Sequence, residues 1–199
     1  LYINDEFFPV SIPKKDTKAP KAVPLQQIVY EDDNILLLYK PARRLCHSDR
    51  TGDLSLVEQL QFYLYQKGEY TPDVENTFAP AVCNRLDRGT EGLVIAAKNY
   101  QALRDMNTII REDLVHKEYY TITCGIPPKG RHTAWLRHHE KNNKVEVRAK
   151  EWEGAKEIIT DITVEKARPP FALCRIGLIT GRTHQIRAHL AFLNAPVLG

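Results

Sequence analysis

Apolar and polar positions become regular from Gln26 onward. The stretch QIVYEDDNILLLYKP holds two runs of strand-forming residues around an acidic turn at Asp32, Asp33 and Asn34, which predicts a strand pair. DLSLVEQLQFYLYQK follows, with Leu56, Val57, Leu60 and Leu64 at the spacing of one helix face, and Ser55 or Asp53 placed to cap it. GLVIAAK is a short, continuous apolar run of the kind that forms a buried strand. Asn99 is a suitable cap for a helix running to about Glu112, with Leu103, Met106 and Ile110 as its buried side.

HKEYYTITCG alternates and is rich in Tyr, Thr and Ile, which indicates another strand. Residues 133–166 contain further strand-like pieces separated by the polar turns EKNNK and EWEGAKE. Residues 171–179 read as a strand, after which Gly181 leads into a helix over THQIRAHLAFL, with Ile186, Leu190 and Leu193 as its apolar side. Neither an internal repeat nor a low-complexity tract is visible. Many strand runs, few helices and hairpin-length turns predict an α+β fold, with a mostly antiparallel mixed sheet bent around a central cleft and helices flanking it.

At 199 residues the chain is long enough for one sizeable domain, or for one domain and a remnant of another. Its 43% hydrophobic and 27% charged residues are ordinary for a globular protein, and a net charge of +3 does not by itself signify nucleic acid. Cys46, Cys83, Cys124 and Cys174 lie far apart with no C-x-x-C pair, so reduced thiols are expected rather than a disulfide framework or a zinc site. No apolar run approaches the roughly 20 residues that span a bilayer. With no signal-peptide layout at its start, a cytoplasmic protein is expected.

Residues 1–24 change character. LYINDEF is followed by SIPKKDTKAPKAVP, which reads as an extended linker. The chain begins with Leu, which suggests an excerpt of a longer one. The expected division is therefore 1–24 as an arm or domain remnant plus linker, and 25–199 as the main domain.

Candidate chemistry centres on NRLDRGTEGLVIAAK, residues 84–98. Asp87 lies between Arg85 and Arg88, on a loop that leads into the apolar run, a placement common for functional groups. A lone R-x-D-R would more often be an exposed salt-bridge loop. A second segment, TGRTHQIRAHL at 180–190, changes that reading. Together the two resemble the RluA-type pseudouridine synthases, whose signatures are R-L-D-x-x-T-x-G and G-R-T-H-Q-[IL]-R-x-H. KPARRLCH also resembles the family's K-P-A-G-x-x-x-H, keeping Lys40, Pro41, Ala42 and His47, with Arg43 where glycine is usual. Asn84 stands where His is common, and Gly89 and Glu91 where Asp and Ser are common. The likeness covers 26–199; family chains continue for several dozen residues past N-A-P-V-L-G, so a C-terminally incomplete domain is expected. LYINDEF is similar to the last strand of a small RNA-binding domain that often precedes the catalytic domain in this family; an arm lying across the main domain is the alternative.

The resemblance implies a pseudouridine synthase fold and an enzyme that breaks the bond from ribose to uracil nitrogen 1, turns the base and joins carbon 5 to the ribose. That isomerisation moves no electrons and exchanges no atoms in net terms, so neither cofactor nor metal is expected. It implies that Asp87 is the essential carboxylate, as nucleophile or as base. It assigns to Tyr119, in KEYY, a flat surface for the extruded uracil. It assigns to Arg187, following H-Q-I, the task of holding Asp87 by a bidentate pair. Ile186 matches an apolar position near the site. Arg182, Thr183, His184 and Gln185 read as orienting or RNA-contacting residues, with His184 and Arg187 sharing a helix face, and Arg85 and Arg88 as substrate-binding. Tyr120 points away from Tyr119, to core or surface.

RNA is the expected partner, ribosomal RNA ahead of transfer RNA, and a monomer is the expected state. Lys129, Arg131, Arg137, Lys141, Lys144, Arg148 and Lys150 lie in one strand-rich stretch, opposed by Glu140, Glu146 and Glu151. They form either a solvated hairpin or a phosphate-gripping finger. Arg43, Arg44 and Arg50 would form a second basic wall. A catalytically silent RNA binder would not need Asp87, Tyr119 and Arg187 together. An aspartate phosphotransferase would need a second carboxylate for magnesium, where RLDRGT offers Arg.

Overall fold

The structure is a computed structural model, and it describes residues 2–3, 6–7, 25, 27–49, 51–72, 78–139 and 144–198. The expectations for 1–24 fall outside this set, apart from the backbone of β1 (Tyr2–Ile3) and β2 (Glu6–Phe7), which pair antiparallel. Arg50 and Lys141 also lie outside it. The chain divides into two compact units, Leu1–Asn107 and Thr108–Gly199.

In the first unit, β3 (Ile28–Glu31) and β4 (Ile35–Lys40) form the expected pair. Asp32 closes the turn between them by accepting from the Asn34 and Ile35 amides at 2.7 and 2.8 Å. β4 also pairs antiparallel with β6 (Gly92–Ala97), the predicted apolar run, and β6 with β5 (Ala81–Val82), in the order β3-β4-β6-β5. Strand period puts Leu36, Leu38 and Lys40 on one buried face, where Val94, Ala96 and Val82 are also buried. α1 (Leu56–Gln66) starts at Ser55, whose hydroxyl accepts from the Glu58 amide while the Glu58 carboxylate accepts from the Ser55 amide. This reciprocal cap fixes the start of the helix, and Leu56, Leu60 and Leu64 are its buried stripe.

An ion cluster ties α1 to the sheet. Glu31 accepts from Tyr63 at 2.7 Å, Lys67 at 2.6 Å and Lys98 at 3.0 Å, and both lysines also meet Glu69. Burial pushes the Glu31 carboxyl up, but the bonds from Lys67, Tyr63 and Lys98 outweigh it and hold it at about 2.

α2 (Tyr100–Arg111) is capped by Asn99, which accepts from the Ala102 amide at 2.9 Å. Its fully buried residue is Ala102, while Leu103, Met106 and Ile110 are only half-buried, a shallower seat than the apolar spacing predicts.

The second unit is built on a five-stranded antiparallel sheet, in the order β7-β11-β10-β8-β9. Its strands are β7 (Lys117–Cys124), β8 (Gly130–His139), β9 (Lys144–Arg148), β10 (Lys156–Arg168) and β11 (Phe171–Leu178). α3 (Gln185–Phe192) covers one face of it. Leu190, with Ile186 and Leu193, packs on Ile162, Ala172, Cys174 and Ile176, and Ala188 packs on Ala134, Leu136 and Ile158. Gly125 ends β7 at φ +102°, and a Cβ there would lie 2.8 Å from the Asn194 carbonyl oxygen, so only glycine fits.

The α+β class stands. Where one mixed sheet was expected, the described strands form three separate sheets, and every named strand pair is antiparallel.

Candidate active site

Asp87 sits in the loop between β5 and β6, as its place before the apolar run predicted, and the residue is half-buried. The loop is held on several sides. Asn84 Oδ1 accepts from the Ile95 amide at 2.8 Å, which anchors the loop's start to β6. The Leu86 amide donates to Cys46 Sγ at 3.3 Å, and Sγ donates back to the Leu86 carbonyl at 3.5 Å. Beyond Asp87, its own carbonyl accepts from the Thr90 amide at 3.0 Å. The Arg88 carbonyl accepts from the Arg43 amide at 2.7 Å and from Lys40 Nζ at 3.5 Å.

Lys40 is fully buried, with its ammonium also donating to the Pro41 and Arg44 carbonyls at 3.1 and 2.8 Å. Burial lowers its pKa, while Cys46 and Asp87 oppose that shift. A buried ammonium ringed by carbonyl oxygens is satisfied without a full salt bridge, and it binds the K-P-A turn to the Asp87 loop. Lys40 and Cys46 were not among the predicted site residues. The signal for Lys40 was present, since it continues the buried Leu36–Leu38 alternation with a charged residue.

Arg43 closes the K-P-A turn in place of glycine by adopting φ +67°. The turn is therefore as tight as a glycine would make it, at the cost of a left-handed arginine. Of the neighbouring arginines, Arg85 is exposed, and Arg88 pairs with Asp53 at 2.5 Å.

Tyr119, in the second unit, pairs with Ile176 across β7 and β11 and is partly buried against the core cluster of that sheet. Tyr120 turns the other way and is 67% exposed. Arg187 is an exposed residue of α3, and Ile186 is half-buried against the sheet.

The helix begins later than expected. His184 is its N-cap at φ +55° and lies outside the helical turns, so it does not share a helix face with Arg187. The left-handed residue redirects the chain so that Gln185 points inward. Gln185 is 2% exposed, its Oε1 accepts from Thr180 Oγ1 and the Arg182 amide, and its Nε2 donates to the Ile159 carbonyl and Thr160 Oγ1. Its amide is saturated by protein, which fits the orienting rather than the RNA-contacting role. Arg182 and Thr183 are exposed. His189 lies beside it, 1% exposed, with Nδ1 2.9 Å from Thr160 Oγ1. Burial, and secondarily the charge of His132, push its imidazole down to about 4.

The basic stretch is more balanced than its sequence suggests. Arg131 makes a bidentate pair with Asp161, Arg148 pairs with Glu146 and lies over Trp152, and Arg137 donates to the Glu153 carbonyl. That favours the solvated hairpin for these three. No cluster of His, Cys, Asp and Glu suited to a metal occurs among the described residues. All four cysteines are free thiols, and burial pushes Cys83 up to about 11.

Comparison with known proteins bears on this arrangement. An uncharacterized RNA pseudouridine synthase of Mycoplasma pneumoniae is 33% identical over 87% of this chain and 54% of its own length. A ribosomal large subunit pseudouridine synthase C of Rickettsia conorii is 28% identical over 100% of this chain and 65% of its own. This chain thus spans about half to two thirds of these relatives. Among solved structures, human RNA pseudouridylate synthase domain containing 4 superposes with a TM-score of 0.71 at 23% identity, over 86% of this chain and 66% of that one, and shows the same fold. Residues 34–192 match the family model for RNA pseudouridylate synthase, and the chain belongs to that family.

Proposed function

We propose that this chain carries the catalytic part of an enzyme that isomerises specific uridines to pseudouridine in structured RNA, without cofactor or metal. Asp87 is the essential carboxylate at the ribose and base, Tyr119 the surface on which the detached uracil stacks, and Arg187 the cation that steadies the carboxylate. Arg85, Arg88, Arg182, Thr183 and His184 serve the RNA, while Gln185 and Ile186 support them from within. Ribosomal RNA is the favoured substrate, since curated relatives carry ribosomal large subunit in their names; transfer RNA comes second. The protein acts as a monomer in the cytoplasm.

One observation carries this reading: the Asp87 loop is clamped on both sides, by Cys46 before it and by Lys40 and Arg43 after it, within a chain of this family. A carboxylate that must meet one sugar gains rate from being held in place, whereas a surface salt bridge gains little.

Asp87→Asn tests it. The amide keeps shape and hydrogen bonding but lacks the negative charge. Pseudouridine formation by the full-length protein should be abolished while RNA affinity stays within a few-fold, because phosphate contacts dominate binding. Near-normal turnover in this variant would move catalysis elsewhere. Joint loss of binding and activity would make Asp87 structural and favour a silent RNA binder.

A further inference from the structure

Four described residues other than glycine have positive φ: Arg43, Asp113, His184 and Asn194. Asp, His and Asn tolerate the left-handed region because their short polar side chains suit it; arginine has no such advantage. Nor can Arg43 relax in place. Its amide donates to the Arg88 carbonyl at 2.7 Å, and Lys40 Nζ reaches the same oxygen and the carbonyls of Pro41 and Arg44 on either side of the turn. Any other φ would release the turn from the Asp87 loop. A glycine would hold this conformation without strain, so the side chain is what the strain retains.

That side chain is exposed, and among the described residues its guanidinium has neither an ion pair nor a hydrogen bond. The arginines at 131, 148 and 175 are each committed to carboxylates. An exposed guanidinium with no partner among the described residues, carried on a backbone held one hydrogen bond from the loop of Asp87, suits a phosphate group recognised by paired donors.

We propose that Arg43 is a phosphate-binding residue that grips the RNA backbone beside the nucleotide presented to Asp87, and that its strained backbone is kept for this contact. The inference rests on the function proposed above and adds a residue to it.

Opposite signs in one variant make the test. In Arg43→Gly, the thermal midpoint should rise by a few degrees as the strain is released. Equilibrium affinity for an unmodified transcript of large-subunit ribosomal RNA, and for a mixed-sequence single strand, should fall several-fold. The slope of log affinity against log salt should shrink by about one, the signature of one lost phosphate contact. Arg43→Lys should keep the slope and the wild-type midpoint.

A glycine variant that gains stability but binds with unchanged affinity and slope would overturn the proposal, as would one that loses stability. If wild type forms no pseudouridine and binds neither RNA, the functional reading fails first. If wild type works and only the glycine arm disagrees, this inference alone falls.

Discussion

Cys46 and the residue before Asp87 are joined twice: the Leu86 amide and the Leu86 carbonyl both meet the Cys46 sulfur, at 3.3 and 3.5 Å. Both residues are buried, Leu86 at 7% and Cys46 at 5% exposure, so the thiol is the partner these backbone groups have in place of bulk water. One side chain thus satisfies both polar groups of a buried backbone unit next to the candidate carboxylate.

Cys46→Ala should therefore act on geometry as well as stability. The loss of a small buried side chain and two weak hydrogen bonds should cost about 1–2 kcal/mol in denaturant unfolding. Turnover of RNA should drop by more than affinity does, since the freed loop carries Asp87. Cys46→Ser, which can still donate and accept, should recover part of the turnover. A stability loss with unchanged turnover would reduce Cys46 to a packing residue.

The Glu31 cluster predicts a second, acid-dependent loss. The folded carboxyl lies at about 2 against 4.5 when unfolded. Its contribution is present above the unfolded value and disappears as pH falls toward the folded one. Glu31 and its partners are partly exposed, so screening reduces the effect to about 1–2 kcal/mol. Unfolding curves between pH 5 and 2 should be steeper for wild type than for Glu31→Gln, and identical slopes would remove Glu31 from the account.

His189 works in a different window and with the opposite preference. Its imidazole is held neutral, with a folded pKa of about 4 against 6.5. Between those values the unfolded chain binds a proton that the folded chain refuses. Stability therefore falls as pH drops from 6.5 to 4 and levels off below, by roughly 3 kcal/mol in all. His189→Asn, which can still meet Thr160, should flatten that window and leave the Glu31 window intact. Equal slopes in both proteins would show that another group titrates there.

Much of the fold was legible because its determinants are local. The cap of α1, for which the sequence offered Ser55 or Asp53 and Ser55 serves, the Asp32 turn and the apolar run of β6 each lie within a few residues. The position of Asp87 before that run was legible for the same reason. What escaped the sequence depends on distant partners. Nothing near Arg131 announces Asp161, and nothing near Gln185 announces the Ile159 carbonyl. The helical spacing of THQIRAHL likewise continues smoothly through His184, where the backbone instead turns left-handed. Division of the strands into separate sheets is also a matter of long-range pairing, which alternation along a strand does not encode.

Gly125 has a consequence at the other end of β7. Neighbouring residues of a strand face opposite sides, so a slip of one position would exchange Tyr119 for Tyr120 against the core. The glycine forbids that slip. Its amide donates to the Pro170 carbonyl at 2.6 Å, and its bare Cα sits where no side chain fits against Asn194. Moving the strand by one residue would bring Cys124 or Ile126 into that space. An atom that is missing at position 125 thus decides the parity of the whole strand, and with it which of two adjacent, chemically identical rings packs against the core and which is left to solvent.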